Sequence, residues 1–180
     1  MSAAPIYLDY NATTPIAPEV LEAMLPFLRT HFGNPSSQHG YGPPVHAAVE
    51  AARSKVAHLV GAMPGEIVFT SGGTEATNHA LKGLAFATLA GERRRIVVSA
   101  VEHPATLETA QALRRFGFEV VQAGVDRYGV IDLAQLERAL SPQTLAVSLM
   151  HANNETGTVQ PVAAAAAAAH RHGALLHVDA

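Results

Sequence analysis

Five short apolar runs, rich in β-branched residues, recur along this chain beyond residue 66: Ile67–Thr70, Ile96–Ser99, Glu119–Val121, Ala146–Leu149 and Leu175–Val178. Each is too short for a typical helix and reads as a buried strand. Helical patterns separate them, at Thr74–Leu89, Ala105–Phe116, Leu133–Leu140 and Val162–His172. Ser141-Pro142 and Gly173 punctuate the ends of two of these helices. Strands alternating with helices require crossover connections, which predicts an α/β fold with a mostly parallel sheet and helices on both faces. Strands that are apolar throughout, rather than alternating, agree with a sheet covered on both sides.

The first 65 residues read differently, as an N-terminal arm and helices, leaving 66–180 for the α/β part. Pro18–Phe32 and Pro44–Val60 are helical, with each proline suited to a first turn where its missing N–H costs little. Between them, Gly33–Pro43 is polar and turn-rich, either an ordinary surface loop or a binding loop. Ala163–Ala169, set between two strands, reads as a small-residue helix packed close to the sheet.

Composition removes several function classes. Lys+Arg 12 against Asp+Glu 15 leaves a net charge of −3, with no basic field for a nucleic-acid backbone. With Cys 0 there is no disulfide framework, thiolate metal site or cysteine nucleophile on these residues. Met1–Pro5 has no basic region leading an apolar run, so no secretory signal is read there, and a cytoplasmic setting is expected. His170, His172 and His177 lack the spacing and the companion ligands of a metal site.

Three stretches sit where an α/β sheet places its ligands, just past the carboxyl ends of strands. Ser71-Gly72-Gly73-Thr74-Glu75 opens a helix. It is either a plain N-cap or a phosphate cup, in which glycines permit close approach or positive φ and Thr74 adds a hydroxyl. His103, in Glu102-His103-Pro104, is either a helix-entry residue or an imidazole that stacks on a flat ligand and relays protons. Asn153-Asn154-Glu155 and Asp179 follow the last two strands. An acid at such a place caps a helix or pairs with the protonated ring nitrogen of a cofactor.

Taken together, the chain resembles the cysteine desulfurases of the NifS/IscS type, within the class V, fold-type I pyridoxal-phosphate enzymes. The resemblance is carried by Tyr7–Pro15 (YLDYNATTP), Phe32–Ser37 (FGNPSS), Val68–Glu75 (VFTSGGTE), Glu102-His103, His151–Gly157 (HANNETG) and His177–Ala180 (HVDA), in the family's order. It implies that Gly73 and Thr74 hold the phosphate of pyridoxal 5'-phosphate. It further implies that His103 stacks on the ring and moves protons, Asn154 bonds the phenolic oxygen, and Asp179 pairs with the ring nitrogen. It implies L-cysteine as substrate, alanine and an enzyme persulfide as products, a homodimer, and a sulfur acceptor or cluster scaffold protein as partner. On this resemblance residues 66–180 are part of the pyridoxal-phosphate domain.

The chain departs from the family's pattern in one respect. The lysine that holds the cofactor and the cysteine nucleophile lie further along in the family, and the lysines here, Lys55 and Lys82, match neither place. The resemblance therefore covers roughly the N-terminal half, and these residues alone are expected to be inactive. The rival readings are a selenocysteine lyase or an aminotransferase of the same class, and a non-catalytic or split half that binds a partner.

Overall fold

The computed structural model describes residues 5–180; residues 1–4, part of the stretch read as lacking a signal, lie outside the described residues. The chain separates into two compact units. One joins the segment up to Thr13 to Thr70–Ala180, and the other is Thr14–Phe69. This differs from a division at residue 65, because Tyr7–Thr13 belongs with the α/β unit, where Asn11 Nδ2 donates to Ala152 O at 3.4 Å.

The α/β unit contains strands β1 (Arg95–Ser99), β2 (Glu119–Ala123), β3 (Thr144–Ser148) and β4 (Leu175–His177). They form a 4-stranded sheet of order β2-β1-β3-β4, with every pair parallel. In the other unit, α1 (Pro18–Arg29) precedes α2 (Gly42–Val60). Helices α3 (Gly73–Ala87), α4 (Pro104–Leu113), α5 (Leu133–Ala139) and α6 (Val162–Arg171) flank the sheet.

Side chains alternate across the pleat, so β1 feeds two separate cores. Val97 packs with Leu136 of α5 and with Ala165, Ala168 and Ala169 of α6. Its neighbours Ile96 and Val98 pack with Ala85 of α3 and with Ala110 and Leu113 of α4. The sheet is therefore covered on both faces, which is why its central strands carry no polar alternation. The alanine run is a helix whose 165, 168 and 169 positions are buried, at the spacing of one helical face.

Strand order fixes where a ligand can enter. The chain leaves β1 through α4 toward β2, and leaves β3 through α6 toward β4 on the other side. At the carboxyl ends of the adjacent β1 and β3 the connections diverge to opposite faces and leave a crevice.

Two sequence expectations need correction. Ile67–Thr70 is not a strand, although Ile67 itself is extended at φ −95° and ψ 127°. The Ile67 carbonyl accepts from Arg53 Nη1 at 2.6 Å, Arg53 lies over the Phe69 ring, and Val68 and Phe69 are exposed. Helix α2 begins at Gly42, ahead of the expected Pro44, because its first turn is fitted to the preceding loop. A Cβ on Gly42 would lie 1.9 Å from Ser37 O, and one on Gly33 2.0 Å from Tyr41 O. The Gly33–Pro43 stretch is therefore closed on itself by backbone contact, and only glycine fits at those two points.

Candidate functional site

Past the carboxyl ends of β1, β3 and β4 lies a cavity of about 450 Å³, within the range typical of small-molecule sites. Gly73, Thr74, His103, Asn154 and Asp179 all line it, as do Asn11, Met150 and His151. Five residues from four separated stretches of sequence are thereby brought to one place.

Each is delivered by local structure. Gly73 and Thr74 occupy the first turn of α3, where backbone N–H groups have no intrahelical acceptor and the helix dipole is positive. Glu75 reaches back to accept from Ser71 N–H (2.7 Å) and Ser71 Oγ (2.6 Å). Those two bonds hold the Glu75 carboxyl below its usual range and fix the turn. The cap itself is Gly72, not Ser or Thr, and its φ of 164° is extended backbone. The expectation of positive φ in this turn is therefore not met. A Cβ on Gly72 or Gly73 would meet nothing within 4 Å, so the protein's own packing does not demand either glycine. The open space beside the cavity is what a side chain there would fill.

His103 is the N-cap of α4, with Pro104 at the first helical position. Its Nδ1 accepts from Ala105 N–H at 3.1 Å, which assigns the ring proton to Nε2 and fixes the ring's orientation. His103 is thus the helix-entry residue and also a residue of the cavity wall.

The segment after β3 folds back as a tight loop. Asn153 Oδ1 accepts from Glu155 N, Thr156 N and Thr156 Oγ1, and its Nδ2 donates to Val101 O. Gly157, at φ 71°, takes the left-handed conformation that closes the turn. This leaves Asn154 on the cavity wall. Asp179 arrives by continuation of the ladder: Leu149 N donates to His177 O, and His151 N donates to Asp179 O at 2.7 Å.

Glu102 is buried next to this wall, and nothing in the sequence gave it a role apart from its neighbour His103. Its Oε1 accepts from Met150 N (2.6 Å) and its Oε2 from Ser148 Oγ (3.1 Å). Burial pushes its pKa up to about 7, against the lowering effect of those two bonds and with the help of the Asp179 charge. Burial also lowers His177, while Asp179 opposes that shift. Asn11 is a wall residue that sequence reasoning missed, although it lies within the YLDYNATTP motif. Lys82 does not line the main cavity; it lines an adjoining one with Thr74, Asn78 and Glu108.

Comparison with known proteins gives a concordant result. A family model described as "Aminotransferase class-V" matches residues 6–180. A cysteine desulfurase IscS of Dictyoglomus turgidum is 48% identical over 175 residues, covering 97% of this chain and 44% of that protein. A solved structure titled "NIFS-LIKE PROTEIN" superposes with a TM-score of 0.90 at 42% identity, covering 97% of this chain and 48% of the other. Another, titled "SspA in complex with cysteine", gives 0.87 at 40% identity and the corresponding shares are 97% and 50%. The chain thus spans about half the length of the relatives it matches.

Proposed function

The chain belongs to the class V aminotransferase family, and from that premise we propose that it supplies the pyridoxal 5'-phosphate cradle of a cysteine desulfurase. The observation that carries this reading is the meeting of Gly73, Thr74, His103, Asn154 and Asp179 on one cavity at the point where strand connections diverge.

The donor chemistry of that set fits the cofactor group by group. A dianionic phosphate suits the free N–H groups of the α3 first turn and the Thr74 hydroxyl. A carboxylate at Asp179 suits a protonated ring nitrogen, and the Asn154 amide suits a phenolic oxygen. His103, held by Ala105 N–H, presents a fixed imidazole for stacking and keeps its Nε2 proton available for transfer. Bound there, the cofactor supplies an electron sink that acidifies the substrate's Cα–H.

On this reading L-cysteine is the substrate, the working enzyme is a cytoplasmic homodimer, and sulfur passes to an acceptor or cluster scaffold protein. The relatives named cysteine desulfurase favour this over a selenocysteine lyase or an aminotransferase.

Binding is best tested with pyridoxine 5'-phosphate, which has no aldehyde and so cannot react with Lys55 or Lys82. Isothermal titration of the chain should reveal one site that is lost with unphosphorylated pyridoxine. Thr74→Val and Asp179→Asn should each weaken it about tenfold or more, the scale of one charge-assisted hydrogen bond. Equal binding of the two ligands, or variants that bind unchanged, would overturn the assignment.

A further inference from the structure

Glu102, Ser148 and His177 stand at the carboxyl ends of β1, β3 and β4, beside the cavity wall formed by Met150 and Asp179. Ser148 is fully buried, Glu102 is nearly so, and His177 is partly buried. Ser148 Oγ lies 3.1 Å from Glu102 Oε2 and 2.8 Å from His177 Nδ1. A serine hydroxyl has one proton to donate, so it cannot donate to both.

That constraint leaves two self-consistent arrangements. With Glu102 ionised, Ser148 donates to the carboxylate, and Ser148 Oγ accepts the proton of His177 Nδ1. With Glu102 protonated on Oε2, the carboxyl donates to Ser148, Ser148 donates to Nδ1, and the imidazole proton sits on Nε2. One proton entering at Nε2 converts the first arrangement into the second. The Nδ1 proton passes to Ser148, and the Ser148 proton passes to Glu102. The imidazole is neutral before and after, and the single added proton ends on the carboxyl.

We propose that these three side chains form a buried proton relay, in which protonation of Glu102 switches the tautomer of His177 through Ser148. Glu102 is then a positioning residue for the cavity wall, since its other oxygen holds Met150 N–H at 2.6 Å. The groups that face the relay are few. Asp179, two residues past His177, raises Glu102 and opposes the lowering of His177 by burial. His103, next to Glu102 in sequence, has its Nδ1 turned to Ala105 N–H. From the β3 side Met150 brings a backbone N–H. The consequence for a bound cofactor rests on the function proposed above, but the relay does not.

The test uses the full ¹⁵N,¹³C-labelled chain without ligand, so failure of the cofactor reading leaves it intact. Long-range ¹H–¹⁵N correlations of the His177 ring are followed across about pH 5.5 to 8.5, the range in which a perturbed carboxyl and an imidazole titrate. The expected result is a neutral ring with its proton on Nε2 at the acid end and on Nδ1 at the alkaline end. Its midpoint should coincide with that of the Glu102 carboxyl ¹³C signal. Glu102→Gln should lock the Nε2–H form at every pH, because the amide donates permanently to Ser148. Ser148→Ala should leave Glu102 titrating while His177 no longer follows. The wild-type titration stands without either variant. A single His177 tautomer throughout, an imidazolium at the acid end in place of the Nε2–H form, or a switch that survives Ser148→Ala would overturn the relay.

Discussion

Asn153 and Asn154 are adjacent amides put to different uses. The first spends its oxygen on Glu155 and Thr156 and its nitrogen on Val101 O, which builds the loop; the second is left on the cavity wall. Glu102 and His103 divide the same way, one buried against the Met150 backbone just past β3 and one facing the cavity. The residues of the candidate site were legible because each lies in a short motif that opens a helix or follows a strand: Gly73 and Thr74 at the start of α3, His103, Asn154 and Asp179 past β1, β3 and β4. Glu102 lay in the same motif, but its burial was not legible: a carboxylate between Val101 and His103 reads as loop polarity, and only folding sets it against Met150 N–H. That burial has a measurable consequence. A carboxyl raised from 4.5 to about 7 binds its proton more tightly in the folded state than in the unfolded one. Its contribution is fully present below pH 4.5 and is lost as pH rises through 7. His177, lowered from 6.5, acts in the opposite sense and loses stability as pH falls. Comparing the wild type with Glu102→Gln isolates the first effect. Urea unfolding should find the wild type losing roughly 3 kcal/mol relative to the variant between pH 5 and 8, since each tenfold difference in proton affinity between the folded and unfolded states is worth ~1.4 kcal/mol. Parallel pH profiles for the two proteins would mean that Glu102 titrates normally.

At the scale of elements, four of the five expected strands exist and one does not, and the difference is a matter of neighbours. Ile96–Ser99 and Ala146–Leu149 are apolar because helices cover both faces, so their composition follows from their place in the sheet. Ile67–Thr70 has the same composition, yet Arg53 takes the Ile67 carbonyl and Val68 and Phe69 stay exposed. Composition reports the preference of a segment, and pairing depends on a partner that a short run cannot specify. The alanine run shows the reverse case, where spacing within a uniform stretch decides everything. Ala165, Ala168 and Ala169 are buried against β1 and β3, whereas Ala163, Ala164 and Ala167 are exposed. Ala168→Leu should therefore force side-chain and backbone shifts that cost about 1–3 kcal/mol. Ala167→Leu, one position earlier but on the exposed side, should stay within about 0.5 kcal/mol of the wild type. Chemical denaturation of the pair reads the face directly, and equal losses at both positions would contradict the packing.

Across the whole molecule, the order β2-β1-β3-β4 brings His103, Asn154 and Asp179 to the cavity that Thr74 reaches from the first turn of α3, from stretches spread over more than 100 residues of a 180-residue chain. Parallel strands put every carboxyl end on one edge, so residues placed just after strands must meet there. That convergence was derivable from the alternation of strand and helix, whereas the sheet order was not. What converges is a set of groups suited to binding and orientation. The set holds no thiol, since the chain has Cys 0, and the persulfide step of a desulfurase needs a thiolate as its sulfur nucleophile. Within the α/β unit the one lysine, Lys82, lines the adjoining cavity and not the wall that carries His103 and Asp179 together. The 180-residue chain should therefore bind a pyridoxal phosphate analogue without turning over cysteine. The assay is sulfide or alanine release from L-cysteine by the purified chain, with pyridoxal 5'-phosphate and a thiol reductant present. Release should equal that of the free cofactor. Turnover above the cofactor background by this chain alone would mean that a nucleophile other than a thiol acts in this cavity.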